Sequence, residues 1–273
     1  MEEKTKWQPI VRRLEALLRL RSFPVAFKLL ESEEELSSSK WVRRLDRTAT
    51  LCQLITLVRT FDWTVGATAQ DLGFSMCATV IGLAEVPDPV KDGTFRSIVW
   101  TKTKEDGKKC EDSIPRIPTG KYKAVIMAPL VYDPFEPDMV LIYANPAQMI
   151  LMINALQFED YERFQFFCVG ETSCSDAIAQ CHLSGKPSLA IPCYGERRYG
   201  STQDDEMVMA LPPATVEKVE RNLQELYKRG VRYPIPYVGA QLDPTPGMPL
   251  AYAQVLTGRN IEASGDAKDI TRW

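Results

Sequence analysis

Apolar residues recur along this chain with two different periods. Over residues 8–20, Ile10, Leu14, Leu17 and Leu18 fall on one helical face and Arg12, Arg13 and Glu15 fall elsewhere. That spacing predicts an amphipathic helix lying on a core. Residues 213–229 repeat it through Val216, Val219, Leu223 and Leu226, and Gly230 stops the run. PVAFKLL, residues 24–30, is a β-rich run between Pro24 and the acidic SEEE, so it predicts a strand. Residues 48–60 predict a second helix carrying Cys52, residues 63–69 a short strand, and residues 70–84 a partly helical stretch carrying Cys77.

The segment 87–121 is polar and predicts an exposed excursion. Beyond it the apolar runs KAVIMAPLVY (122–131) and DMVLIYAN (138–145) have strand length. Asn145 followed by Pro146 is a helix start. QFFCV (165–169) reads as a strand, Thr172 or Ser173 as the next cap, SCSDAIAQCHL as a helix, and PSLAIP (187–192) as another strand. Strands and helices in alternation imply an α/β fold, here a mixed sheet flanked by helices with room for two closely packed lobes. The expected division is an N-terminal lobe at 1–86 with Cys52 and Cys77, the excursion at 87–121, an α/β lobe at 122–261 with Cys174 and Cys193, and a tail at 262–273.

A chain of 273 residues with 45% hydrophobic and 25% charged residues has the composition of a globular protein. It can bury a large core without disulfide or metal staples. The net charge of −3 argues against nucleic acid as a partner. No apolar run has the length of a membrane span, since MVLIYANPAQMILMINAL is interrupted by Asn145 and Pro146. The charged N-terminus has no signal-peptide core, so a cytoplasmic, thiol-reducing setting is expected. Seven cysteines fit a reduced or metal-bound set better than a disulfide framework.

The single histidine, His182, rules out His-rich zinc sites and HExxH chemistry. LSGKPS imitates a phosphate loop, but the first glycine is replaced by Gln180 and Pro187 follows Lys186. The cysteines lack any tight CxxC spacing, and each taken singly is more often core than ligand. Cys168 in FQFFCVG reads as packing, and Cys110 rides on the polar excursion. Cys193 and Cys174 stand out by location: one follows a strand and precedes what reads as a glycine loop, the other opens a helix. Arg197 and Arg198 offer planar donor forks for a carboxylate or phosphate, with Asp204, Asp205 and Glu206 as nearby partners. Arg197, closer to Cys193, is the expected anion contact.

NPAQ after an apolar strand (145–148), Cys174 with Ala177, SGKPSLAIPCYGERRYG (184–200) and DDEMVMALP (204–212) together resemble the ArCR family, a bacterial and archaeal domain of unknown function. Cys52 opening a helix and Cys77 in MCATVIGL also resemble that pattern, although Ala78 stands where the family commonly has proline. The resemblance implies that Cys52, Cys77, Cys174 and Cys193 belong together and that Cys110, Cys168 and Cys181 do not. Four such thiolates suit a [4Fe-4S] cluster, with structural zinc as the alternative. The expected function is an iron–sulfur enzyme acting on a small anionic molecule held by Arg197. An electron carrier or maturation protein with a redox partner, or a zinc-bearing ligand-binding protein, are the competing readings, and a homo-oligomer is compatible with all of them.

Overall fold

The computed structural model describes residues 5–39, 41–73, 75–235 and 255. The expected tail at 262–273 and the end of the expected 122–261 lobe lie outside the described residues. In chain order the helices are α1 (Trp7–Leu18), α2 (Glu33–Ser38), α3 (Leu51–Phe61), α4 (Ser75–Val80), α5 (Asp88–Lys91), α6 (Thr94–Val99), α7 (Lys104–Ser113), α8 (Pro146–Gln157), α9 (Gln180–Ser184), α10 (Tyr194–Gly200) and α11 (Pro213–Lys228). The strands are β1 (Val25–Leu30), β2 (Val65–Thr68), β3 (Ala124–Pro129), β4 (Met139–Ala144), β5 (Ser188–Ala190) and β6 (Met207–Leu211).

The six strands form one sheet in the order β2-β3-β1-β4-β6-β5. The α/β expectation holds. Every pairing between these strands is antiparallel, and the parallel component of the expected mixed sheet is confined to two isolated bridges, Arg43 with Val65 and Ala49 with Leu72. The sheet threads together strands from before and after the polar segment, with β1 between β3 and β4.

The alternation of strand side chains divides the core in two. From β4, Met139, Leu141 and Tyr143 enter one cluster, with Val25, Phe27, Leu54 and Val58. Val140, Ile142 and Ala144 enter the other, with Leu14, Met152, Val219 and Leu223. Helices α1, α8 and α11 cover this second face, and α3 and α4 cover the first. Asn145 caps α8 as expected: its Oδ1 accepts from the Gln148 N–H (2.9 Å) and its own N–H donates to Gln148 Oε1 (2.7 Å).

Two expectations need correction. Residues 165–169 form no strand, and Cys168, expected to pack, is exposed. The aromatic run there lies outside the sheet. The segment 87–121, most of which is exposed, folds into α5, α6 and α7. Gly93, at φ +83°, lies so close to Lys104 and Lys108 that a Cβ would collide with their backbone. That approach lets α6 bury Arg96 against Glu111, which also takes Arg116, while Glu171 pairs with Arg96 from the far side.

Candidate metal and ligand site

Four helical starts meet on the α3 side of the sheet. Helix α3 begins where Thr50 closes a capping box: its Oγ1 accepts from the Gln53 N–H (3.1 Å), and its N–H donates to Gln53 Oε1 (2.8 Å). Cys52 is thereby held in the first turn, where the unpaired backbone N–H groups favour negative charge. Cys77 lies in the first turn of α4. Cys174 directly precedes a π-helical turn, Ser175–Ala179, whose five residues are all buried; such turns are rare and collect at functional sites. Cys193 is the N-cap of α10, and its N–H donates to Ser173 Oγ (3.2 Å). That bond ties the Cys193 cap to the residue before Cys174.

Cys52, Cys77, Cys174 and Cys193 line one cavity of about 190 Å³. Cys77 and Cys193 are buried, and Cys52 and Cys174 keep partial exposure. Helix α10 can approach because Gly200 has no side chain: a Cβ there would stand 3.0 Å from Cys52 Cβ and 3.2 Å from its carbonyl oxygen. The Gly200 carbonyl accepts from Thr56 Oγ1 at 2.5 Å.

The thiols act on one another. Hydrogen bonding to Cys77 pulls the Cys52 thiol down, but burial and its neighbours Glu196, Cys174 and Cys193 outweigh it and leave the pKa raised. Cys77 is lowered by Cys174, yet its contact with Cys52 and its burial push it up overall. Cys174 is driven well above the ordinary thiol range by its contact with Cys77 and by burial. Burial and mutual contact thus favour the protonated form of these three thiols.

Behind the cysteines runs a buried polar chain. Tyr143 donates to Glu196 Oε1 (2.5 Å), Ser173 donates to Glu196 Oε2, and the Arg59 guanidinium lies 4.2 Å over the Tyr143 ring. Arg59 in turn makes a bidentate pair with Glu206, at 2.8 and 3.0 Å. Burial raises the Glu196 pKa, with Ser173, Tyr143 and Arg59 opposing. Glu196 and Glu171 both line the cavity, and the sequence reading missed both carboxyls.

A family profile, the uncharacterised ArCR family or domain of unknown function 169, matches residues 13–222. The chain belongs to the ArCR family. It is also 27% identical over 211 residues to the uncharacterized protein MJ0308 of Methanocaldococcus jannaschii, covering 76% of this chain and 89% of that protein. No solved structure matches. The ArCR resemblance grouped four cysteines, and all four line the one cavity. Cys110 and Cys168 do not line it, and Cys181 is buried in the core behind the π turn, its thiol pushed up to about 12 by burial.

Arg197 departs from expectation. The stretch after Cys193 is a helix rather than a glycine loop, and Arg197 does not line the cavity. Its Nε donates to the Pro192 carbonyl (3.1 Å) and its Nη1 to the Gln203 carbonyl (2.5 Å), with Asp204 3.9 Å away. It braces the turns at both ends of α10. Arg198 and Arg96 line the cavity instead. Asp205 and Glu206 are committed elsewhere, to Arg21 and Arg59. His182 takes no part in the cavity and meets Tyr122 Oη at 3.3 Å.

Among the described residues no helix is long and apolar enough to cross a membrane. Nor do any three or more of their His, Cys, Asp and Glu side chains form a group that could hold a metal ion as they stand.

Proposed function

We propose that Cys52, Cys77, Cys174 and Cys193 hold a [4Fe-4S] cluster and that the protein is an iron–sulfur enzyme acting on a small anionic molecule. The observation that carries this reading is the gathering of four cysteines from four separate segments on one cavity. The donor set is all thiol, which suits iron–sulfur chemistry. A single tetrahedral zinc, with metal–sulfur bonds of about 2.3 Å, would draw its ligands around one point. A cluster gives each thiolate its own iron and so spreads its ligands over a wider space.

When bound, such a cluster supplies Lewis-acid or one-electron chemistry. The chain's own part is to hold the four thiols, to exclude bulk water from their buried end, and to keep a proton-carrying group at the cavity wall. Glu196 is that group: it is buried, bonded to Tyr143 and Ser173, and can give up or take a proton at Oε1 or Oε2. Arg197 serves as a brace for α10.

The test is anaerobic purification with iron and sulfide analysis. About four iron and four sulfide per chain are expected. Cys193→Ser should lose most of both, and Cys110→Ser should retain them, because Cys110 lies away from the cavity. One zinc per chain with no sulfide, or equal metal in the two variants, sinks the reading.

A further inference from the structure

The cavity changes character between its two ends. The buried end carries the cysteines and Glu196, and the exposed end is walled by Phe95, Trp100, Tyr194 and Tyr199. Trp100 and Tyr194 meet edge to face with ring centroids 6.2 Å apart, and both are exposed. Exposed aromatic rings gathered at a cavity mouth mark a binding surface.

The charges at this mouth are unequal. Arg96 is buried and balanced by Glu111 and Glu171. Glu196 is engaged by Tyr143 and Ser173. Arg198 is different: its Nη1 donates to Tyr194 Oη (3.2 Å), its guanidinium stands 5.8 Å from the Tyr199 ring, and among the described residues it has no carboxylate partner. Aromatic cages that take quaternary ammonium groups work through the negative ring face. Here the guanidinium already occupies that role at the rim and repels a second cation.

We propose that the mouth binds a planar aromatic carboxylate, its ring against Trp100 and Tyr194 and its carboxylate on the Arg198 fork. This names the class of the small anion in the reading above and rests on that reading only for what happens at the cysteine end. A bidentate guanidinium–carboxylate contact fixes the ligand's orientation, and the aromatic walls reward a flat apolar body over a small polar anion.

Isothermal titration of the anaerobically purified full chain with benzoate, acetate, benzylamine and phenyl phosphate tests it, with iron and sulfide measured on the same sample. Benzoate should bind roughly tenfold or more tighter than acetate and benzylamine. Arg198→Gln should weaken benzoate about tenfold, and Trp100→Leu should weaken benzoate while leaving acetate unchanged. Both side chains are exposed, so unchanged melting temperatures will show that the variants are folded. Equal affinity for benzoate and acetate, or an Arg198→Gln variant that binds normally, overturns the proposal. Phenyl phosphate binding tighter than benzoate overturns the carboxylate assignment. Selective benzoate binding in a chain without iron supports this inference and sinks the cluster reading, whereas full iron content without benzoate binding sinks this inference alone.

Discussion

Replacing Arg59 by methionine should be the most damaging single change near the site that touches no cysteine. Arg59 sits on α3, two turns after Cys52, and Glu206 lies just beyond α10, which Cys193 caps. Both side chains are buried, with relative exposures of 4% and 7%, so the pair clamps two cysteine-bearing elements. Removing one partner of a buried, doubly bonded pair leaves the other charge unpaired, at about 3–5 kcal/mol. At roughly 2–4 °C per kcal/mol for larger domains, the melting temperature should fall by ~6–20 °C. The pH dependence identifies the cause. Burial pushes the Glu206 pKa up, but the Arg59 bond, the Gln203 N–H and the Arg59 charge outweigh it and hold it below the usual 4.5. A carboxyl lowered on folding contributes stability above its unfolded pKa and loses it as pH falls through the folded value. Without Arg59 the same carboxyl is raised by burial, so the gap between wild type and variant should be widest near neutral pH and shrink toward pH ~4. Thermal unfolding followed by circular dichroism between about pH 4 and 8 measures this, and adding Glu206→Leu to Arg59→Met should recover most of the loss. A neutral-pH gap below about 2 °C, or one that widens in acid, refutes the reasoning.

Two other outcomes follow from the same structure. Asn145→Ala removes the side-chain half of the α8 capping box, the bond from the Gln148 N–H to Oδ1, and a 3.1 Å bond to Tyr233 Oη, and should cost about 1–2 kcal/mol in a denaturant melt. Among the cysteines outside the cavity, the exposed Cys168 should react first with a thiol reagent in the native chain, and Cys181, held at about 12 by burial, only on unfolding; loss of the fast phase in Cys168→Ser checks it.

Strands β3 and β4 were legible because a sheet covered on both faces writes near-continuous apolar runs, whereas β6 was not read from MVMAL. The same double cover hid their direction, since it gives parallel and antiparallel strands one signature. QFFCV carried the propensity of a strand without a neighbour to pair with, so its side chains stayed in solvent. Helix α8 was legible from Asn145 and Pro146 alone, because a cap is a local device. The folding of 87–121 was not, because Arg96 is buried only with Glu111, Arg116 and the distant Glu171 around it, and no window of sequence contains all four.

At the site, the cysteines could be read from a family pattern, but Glu196 could not. Its partners Tyr143 and Ser173 are 53 and 23 positions away, so only the folded sheet brings them together. The choice between Arg197 and Arg198 turned on one conformational fact. In a loop, the residue nearer Cys193 is the natural contact. In a helix, successive side chains rotate by about 100°, so neighbours serve different surfaces. Arg197 falls on the side of Pro192 and Gln203 and ties the ends of α10 together, and Arg198 falls on the side of Tyr194 and the cavity mouth. Two adjacent, chemically identical residues thus divide into a brace and a candidate ligand contact, and the helix that Cys193 caps makes the division.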